Sequence, residues 1–540
     1  MNRDINKREA SFLGGYFFDI IGELKNRRKN DMSKLRFSVV LFFLSTVLLK
    51  FSSMFRDLVI SGLYGDSYKA DAYFASMTIP NAIILFMLTG MKDAFLPSYY
   101  TYEKQGKGFS HLTNIVKGTF IFSVAVAIVG TIFSPFLVKW LYPEFSKYQD
   151  GYSVAVWTIA LYFLSITLVG VNAVFEGYFD SRRKFSFSTF SQTIVVLTTL
   201  VFALLFHRSM SIYSVPFGYF VGTILSFLLK VIVLSPKKMI AWRQKPEWKE
   251  INAFYRIFWP VGITIAVGQI NLTVNMLFAS RMGEGVVSNL NYAFRLVTIP
   301  QALFGVTIAT IIYPFLAKAI SSGDMKLFNR GIEKGLTNMF LLIAPSVAGM
   351  MILIEPLVRI VYERGAFTES TTALTSYYAL FYMGSVLFYS IQAVVAKGFY
   401  TLGKGSYFMR IGLISIVLNI FSNYLFAKWI GPSGLALSAS IVGMFYSIST
   451  FTTLNKISGG FNLKLLASEY LKIIVATAVM SVVLLWLKTT KYFGNTHDWL
   501  LLAMFIPLGV MLYFTVLRLC KSDTLSELLQ NDKMLFFKRK

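Results

Sequence analysis

The sequence predicts an all-α polytopic membrane protein, and its composition is the first reason. Of its 540 residues, 55% are hydrophobic and only 15% are charged, and the mean hydropathy is +0.59. Apolar runs of about 20 residues, the length that a helix needs to cross a bilayer, recur along the whole chain. The 52 Lys and Arg residues collect between these runs and at the termini, so the net charge of +25 indicates topology signals and not a nucleic-acid surface.

The apolar runs predict 14 transmembrane helices. Basic residues concentrate in the even-numbered loops, for example Arg182, Lys237 and Lys404, so the positive-inside rule puts both termini in the cytoplasm. The first 36 residues lack the apolar core and cleavage site of a secretory signal peptide, which agrees with that orientation. The predicted helices lie near residues 37–63, 70–97, 114–141, 153–178, 185–206, 212–234, 253–280, 287–317, 335–361, 372–397, 407–428, 434–454, 467–487 and 498–518.

An internal repeat divides the predicted helices into two sets of six. TIPN at 78–81 matches TIPQ at 298–301, and EGYF at 176–179 matches KGFY at 397–400 at nearly the same offset. We therefore expect two duplicated six-helix lobes in the same orientation, followed by a C-terminal helix pair, an arrangement that indicates a transporter. The predicted divisions are a cytoplasmic N-terminal extension at 1–36, an N-lobe at 37–234, a cytoplasmic linker at 235–252, a C-lobe at 253–455, the helix pair at 456–518 and a basic cytoplasmic tail at 519–540.

Charged residues inside the apolar runs are the candidate functional residues. Arg56 and Asp57 lie in the first predicted helix, Asp71 in the second and Arg295 in the eighth. A charge at the centre of a membrane helix costs about 2.5–3.5 kcal/mol on insertion scales, so such residues pair, face a wet cavity or bind a ligand. The repeat places Met276 opposite Arg56, so the charges are not duplicated. We expect Arg56 and Arg295, from different lobes, to share an anionic ligand.

A simpler interpretation is that Arg56 only neutralises a carboxylate. Adjacent residues on a helix point about 100° apart, so this interpretation favours Asp71 over Asp57 as the partner of Arg56. A second pair of charges, Glu355 and Arg359, has the spacing of an ordinary ion pair within one helix, and we expect it to be structural.

The chain offers no predicted catalytic centre, metal centre or cofactor site. Its single cysteine, Cys520, excludes an intramolecular disulfide, and the three histidines, His111, His207 and His497, are all expected in loops. GFYTLGKGS at 398–406 resembles a phosphate-binding loop, but Gly405 stands where Ser or Thr should hold magnesium. The sequence therefore favours a protein that is not an enzyme and does not hydrolyse ATP.

Several motifs in order resemble those of one known family. They are FRDLVISGLYG at 55–65, KADAYF at 69–74, LNYAFRLVTIPQ at 290–301, ERGAFT at 363–368 and GFYTLGKGSYF from 398. They resemble the MurJ (MviN) family of lipid II flippases, within the multidrug/oligosaccharidyl-lipid/polysaccharide exporter superfamily, over about residues 45–455. The resemblance implies that the chain moves an undecaprenyl-diphosphate-linked peptidoglycan precursor from the inner to the outer leaflet of a bacterial cytoplasmic membrane, by alternating access and without ATP, for cell-wall biogenesis.

The resemblance also assigns roles to the charged residues. Arg56 matches an essential arginine of the family, and Asp57 matches the aspartate that follows it. Lys50 matches an earlier arginine, with the charge kept and the planar fork lost. The implied diphosphate-binding residues are Arg56, Arg295 and Lys50, and the implied acidic or gating residues of the cavity are Asp57 and Asp71.

This sequence departs from the family pattern at positions that leave the cargo open. Ile84 and Leu85 replace a pair of arginines, and Phe294 replaces an aspartate. An exporter of another polyprenyl-diphosphate-linked sugar, such as a teichuronic acid or exopolysaccharide unit, is therefore the alternative. A membrane glycosyltransferase is less favoured, because the predicted loops are too short to carry catalytic carboxylates.

The resemblance also implies a cation site and several partners. The sodium site of some family members would fall near Asn275, Asn419 and Asn423, which include no carboxylate and should bind a cation weakly. The expected partners are the lipid-linked oligosaccharide, membrane lipids and, as a further candidate, proteins of cell-wall synthesis. We expect a monomer that binds no nucleic acid.

The predicted topology can be tested by thiol labelling. In a background without Cys520, single cysteines at Ser146 and Ser370 should react with an impermeant reagent added outside the cell, because both positions fall in odd-numbered loops. A cysteine at Ser181, in an even-numbered loop, should not react. The reverse pattern would overturn the orientation.

Overall fold

The computed structural model describes residues 41, 44–148, 150–182, 184–234, 245–490 and 496–530. Regular structure in these ranges is helical throughout, without a β-strand, which confirms the all-α class. The helices are α1 (44–64), α2 (Tyr68–Ser76), α3 (Thr78–Glu103), α4 (Gly108–Leu141), α5 (Gly151–Ser181), α6 (Phe185–Met210), α7 (Ser214–Leu234), α8 (Trp248–Ala279), α9 (Val286–Val297), α10 (Thr307–Ser321), α11 (Met325–Tyr362), α12 (Glu369–Thr401), α13 (Gly405–Ile430), α14 (Ser433–Ile457), α15 (Leu463–Thr489), α16 (Asp498–Leu519) and α17 (Asp523–Gln530).

Eleven stretches of the described residues are long and apolar enough to cross a membrane, which confirms a polytopic membrane protein. One of these stretches, Ser186–Leu234, contains both α6 and α7. The total of 14 transmembrane helices stays a prediction. The proposed extension at 1–36 and the last ten residues of the proposed tail lie outside the described residues.

The repeated TIP motif interrupts a helix in each half of the chain. In the first half, α2 ends at Ser76 and α3 begins at Thr78. In the second half, α9 ends at Val297, and a π-helix at Gln301–Val306 leads into α10. The reason is the proline two residues after each threonine, because proline lacks the N–H that continues the hydrogen-bond ladder. The predicted helices at 70–97 and 287–317 are therefore each divided.

One contact between the two halves of the chain lies where α1 turns into α2. The backbone N–H of Ala366 donates to the carbonyl of Gly62 at 2.8 Å, and the hydroxyl of Tyr292 donates to the carbonyl of Gly65 at 2.9 Å. Asn289 adds a hydrogen bond to Asp66 at 3.2 Å. We call this set of contacts the α1–α2 closure.

A second contact between the halves involves the second half of the 36-residue stretch that α2 and α3 form together, which is about 54 Å long as a straight helix. There α3 and α4 pack against the first half of α8, with the rings of Phe86 and Phe258 4.7 Å apart. Gly262 lets the backbones approach closely, because a Cβ at this position would lie 2.2 Å from the Phe86 ring. We call this set of contacts the α3/α4–α8 closure.

The last helices pack against α11. Tyr513 of α16 donates to the carbonyl of Leu341 at 2.7 Å, and the ring of Tyr470 on α15 stacks on Phe340 at 4.1 Å. Between α9, the π-helix, α11, α15 and α16 lies an apolar cavity of about 630 Å³, with Leu296 and Gly349 in its wall. The C-terminal helix pair therefore forms one wall of this apolar cavity, and the second half of the chain forms the others.

The α1–α2 closure yields a stability prediction at Gly65. Its φ is +53°, and a Cβ there would lie 2.2 Å from the carbonyl oxygen of Ala366. Gly65→Ala should lower the unfolding temperature in detergent. The loss in free energy of unfolding should exceed the cost of about 1–2 kcal/mol that a left-handed backbone conformation imposes on a residue with a Cβ.

The matched control is Gly106→Ala, since Gly106 has a φ of +74° and no atom within 4 Å of its added Cβ. Equal shifts in the unfolding temperature of the two variants would show that the closure tolerates a side chain at Gly65.

Candidate functional site

Two arginines from separate halves of the chain share one carboxylate. The Nε and Nη2 atoms of Arg56, on α1, both donate to Oδ1 of Asp57 at 3.0 and 2.8 Å. The other oxygen of Asp57, Oδ2, forms an ion pair with Nη1 of Arg295, on α9. Two positive charges face one negative charge, so this cluster carries a net charge of +1.

The surroundings hold the cluster in place and leave it reachable. The Nε atom of Arg295 donates to Asn291 one turn earlier at 2.7 Å, and its guanidinium lies 5.6 Å from the ring of Phe74. The side chains of Arg56, Asp57 and Arg295 are 21%, 18% and 25% exposed. These fractions matter because a fully buried cluster would be out of reach of a ligand in this conformation.

The favoured partner of Arg56 was wrong. Arg56 pairs with Asp57, whereas Asp71 is buried and accepts hydrogen bonds from the backbone N–H groups of Gly285 at 2.5 Å and Ser288 at 2.7 Å. The hydroxyl of Ser288 also donates to Asp71. Asp71 thus caps the N-terminus of α9, where free N–H groups and the helix dipole favour an anion. Adjacent helical residues point about 100° apart, but the arginine side chain is long enough to reach the carboxylate of its neighbour.

Lys50 stands apart from the cluster. It is exposed on α1, and its position six residues before Arg56 places it about 9 Å away along the helix axis and on another face. Its predicted contact with a diphosphate stays a prediction.

The three asparagines of the predicted cation site do come together. The side-chain amide of Asn423 donates to Asn275 at 2.7 Å, and that of Asn419 donates to Asn275 at 3.1 Å. All three side chains are buried, and within the described part of the chain the Oδ1 atom of Asn423 has no hydrogen-bond partner. The described residues contain no group of three or more His, Cys, Asp and Glu side chains that could hold a metal ion. The amides bond mainly to one another, and weak cation binding stays a prediction.

The expectation that all three histidines lie in loops was also wrong. His111 is fully buried inside α4, where it is hydrogen-bonded to Glu250 of α8, and His207 lies in the last turn of α6. The start of α4 at Gly108, six residues before the predicted start, explains the error at His111. The helix begins in the polar segment before the apolar run, and hydropathy alone does not show where that helix starts.

A buried ion pair inside the first half of the chain was not predicted either. Lys230 of α7 donates to Glu176 of α5 at 2.8 Å, and Gln192 of α6 donates to the same carboxylate at 2.7 Å. Lys230 and Glu176 are each 1% exposed. The signal was present in the sequence, because Lys230 is a single charge inside an apolar run, like Arg56.

The ion pair expected within one helix is confirmed. Arg359 binds Glu355 at 2.8 Å on α11. It also binds Asp498 at the start of α16 at 3.1 Å, which links α11 to the C-terminal helix pair.

The fold of this chain is shared with membrane transporters of known structure. A solved structure described as an inward-facing multidrug resistance MATE family transporter of the MOP superfamily has the same fold, with a TM-score of 0.59. The match covers 78% of this chain and 94% of that chain, at 12% sequence identity. At this level of identity the likeness concerns the fold alone.

Within that class, the chain belongs to the MurJ family. The family model described as "Lipid II flippase MurJ" matches residues 60–505, which confirms the resemblance seen in the motifs. The chain is 26% identical to a "Probable lipid II flippase MurJ" of Vibrio cholerae, over 88% of this chain and 94% of the relative. It is 25% identical to a "Lipid II flippase MurJ" of Burkholderia cenocepacia, over 76% and 82% of the two chains.

A solved structure of the family extends the likeness to three dimensions. The structure described as "Lipid II flippase MurJ, inward closed conformation" matches 90% of this chain and 100% of that chain, with a TM-score of 0.78 and 25% sequence identity. Its higher TM-score places this chain nearer to a MurJ structure than to the MATE transporter described above.

Proposed function

We propose that this chain is a lipid II flippase of a bacterial cytoplasmic membrane. It moves the undecaprenyl-diphosphate-linked peptidoglycan precursor from the inner to the outer leaflet by alternating access, without ATP hydrolysis and without catalysis. Membership of the MurJ family supports this proposal. The observation that carries it is the cluster in which Arg56 and Arg295, from separate halves of the chain, meet at Asp57.

The charge of this cluster suits a diphosphate. A diphosphate bridge presents several acceptor oxygens and about two negative charges, and arginine binds such groups through two parallel hydrogen bonds. Asp57 supplies one negative charge to two guanidiniums and leaves one positive charge unmatched. A dianion that binds both arginines in place of Asp57 would match their two positive charges, whereas Asp57 matches only one.

One wall of an apolar cavity is formed by the residue that follows Arg295 in the chain. Leu296, the residue after Arg295, lines the cavity of about 630 Å³ between α9, α11, α15 and α16. Pockets that hold small ligands are typically about 300–1,000 Å³. A cargo with its diphosphate at Arg295 would therefore place the first part of its isoprenoid chain in this cavity.

Alternating access requires units that move against each other. We propose that these are the N-lobe at 37–234 and the C-lobe at 253–455, with both termini in the cytoplasm. The α1–α2 closure then faces the outside and the α3/α4–α8 closure faces the cytoplasm. Asp71 acts as an outer gating residue, because its cap on α9 must break when the α1–α2 closure opens.

A second candidate cargo is another polyprenyl-diphosphate-linked sugar. Two replaced family positions favour it: Ile84 is buried, and the ring of Phe294 packs on Tyr382 at 5.4 Å, so neither position offers a charge to the cargo. Depletion of the protein in the source cell separates the two cargoes, because the lipid-linked precursor that accumulates on the inner leaflet identifies the one transported.

The remaining partners follow from this function. The chain would meet membrane lipids on its outer surface, where exposed side chains such as Ile132, Ile232 and Val417 are apolar. We propose that it acts as a monomer, near the enzymes that consume its cargo.

The function is tested by replacing the two arginines. Arg56→Ala and Arg295→Ala should each weaken binding of the lipid-linked diphosphate about tenfold or more, because a hydrogen bond to a charged group contributes about 1.5–3 kcal/mol. Lysine at either position should restore binding only in part, since it keeps the charge and loses the fork. Binding can be measured on the purified protein, and transport in proteoliposomes.

The control is Arg359→Ala, which breaks an ion pair far from the cluster in the chain and should change protein yield at most. Normal transport by both arginine variants at normal membrane levels would exclude the cluster as the diphosphate site. Restoration of Arg56→Ala by Asp57→Asn would show that the arginine only neutralises its neighbour.

The position of the isoprenoid chain is tested by filling the apolar cavity. A Cβ at Gly349 would meet no atom within 4 Å, so Gly349→Leu extends a side chain into the cavity that Gly349 lines. If two CH₂ groups of the cargo lose their place, the cost is about 1.6 kcal/mol, or about tenfold in affinity. An analogue with a much shorter isoprenoid chain should bind as it does to the unchanged protein.

The neighbouring Met351→Leu is the control, because Met351 is exposed on the outer face of α11. If Gly349→Leu weakened binding of the long and the short analogue equally, the isoprenoid chain would lie elsewhere.

A further inference from the structure

We propose that Glu250 is the positioning residue of the α3/α4–α8 closure, locked by His111 and Asn114. This inference deepens the proposed function, because it rests on alternating access and names the residue that sets one of the two closed states. Its role is mechanical, since Glu250 belongs to neither the arginine cluster nor the apolar cavity.

Both oxygens of Glu250 are used across the seam between the two halves. One oxygen is hydrogen-bonded to Nδ1 of His111, and the other accepts a hydrogen bond from the side-chain amide of Asn114 at 2.5 Å. His111 and Asn114 lie on one face of α4, and Glu250 lies in the first turn of α8. The exposed fractions are 0% for His111 and Asn114 and 8% for Glu250, so all three side chains are buried.

The His111 side of this contact is oriented without any contribution from α8. The second ring nitrogen of His111, Nε2, is hydrogen-bonded to the hydroxyl of Ser98 on α3 at 2.9 Å. The ring of Tyr102, also on α3, stacks on the imidazole at 4.2 Å. Residues of α3 and α4 alone therefore orient the imidazole, and Glu250 is the group that arrives when α8 closes.

Burial of Glu250 depends on the closure itself. A carboxylate taken out of water without partners is strongly unfavourable, so the seam can close over Glu250 only when His111 and Asn114 are in place. When α8 moves away, Glu250 regains water and the lock is released. The same group therefore stabilises the closed state when it is matched and opposes it when a partner is missing.

The packing beside the lock shows why a polar bridge is needed there. A cleft of about 220 Å³ lies between α3 and α8, and Ser98, Tyr102 and Glu250 are in its wall. Apolar contact such as that of Phe86 with Phe258 does not fill this part of the seam. Beside this gap, the bonds of Glu250 join α8 to α4.

The test measures the distance across the seam in the protein without cargo. Spin labels on Phe109→Cys and Lys249→Cys, in a Cys520→Ser background, report the separation of α4 and α8, because both positions are exposed at that end. In lipid nanodiscs, His111→Ala and Glu250→Ala should each increase the ratio of the open to the closed distance about tenfold or more. The double variant should open no more than Glu250→Ala, since Glu250→Ala already removes the bond between His111 and Glu250.

The control is Lys147→Ala, which removes an exposed ion pair with Glu144 on the other side of the bundle and should leave the distances unchanged. Unchanged distances in both folded alanine variants, or a double variant that adds the two single effects, would overturn the proposal.

If the alanine variants do not fold, Glu250→Gln decides, because it keeps the shape and loses the charge. An unchanged distance ratio in Glu250→Gln would then overturn the proposal. Because the distances need no transport, a protein that moved no lipid would refute the proposed function and leave this test intact.

Discussion

The central constraint on this structure is that a charge inside a membrane protein must meet its partner within the protein. Asp57 shows the consequence most directly, because its two oxygens are shared between Arg56 of its own helix and Arg295 of α9. Either arginine alone would satisfy the carboxylate. The second arginine joins the two halves of the chain and leaves one positive charge for a ligand, so the same three residues serve both contact and recognition.

The same device recurs at two other contacts between the halves. Asp71 from the first half accepts from the N-terminus of α9, and Glu250 from the second half accepts from His111 and Asn114. Apolar packing crosses the boundary as well, because one cluster of buried apolar side chains includes Phe95 of the first half and Phe258 of the second. Polar bonds can be exchanged for water when a seam opens, whereas buried apolar side chains lose their packing. The polar contacts therefore set the closed position of a boundary that apolar packing also holds.

Hydropathy was enough to predict the class of fold, because a membrane helix must be apolar over a fixed length. The repeated TIP motif was visible, although its effect was not, since the interruption of α2–α3 and of α9 follows from proline within a run that is apolar on both sides. Arg56 and Arg295 stood out in the sequence because each is a charge inside an apolar run, which is unfavourable in a membrane. Their shared partner could not be predicted, because membrane helices are apolar all round and their sequence does not tell which face meets which neighbour. His111 was missed since hydropathy locates the membrane span and not the polar turn of helix before it.

Lys230 gives a physical reason for one of the replaced family positions, Ile84. Ile84 lines the same cavity of about 160 Å³ as Lys230 and Glu176, inside the first half of the chain. An arginine at position 84 would bring a second cation to a carboxylate that Lys230 and Gln192 already satisfy, and the added charge would have no partner in the wall of that cavity. An apolar residue at position 84 and a lysine at position 230 are therefore compatible with each other. In the proposed function, the cation missing at position 84 leaves a larger share of diphosphate recognition to Arg56 and Arg295.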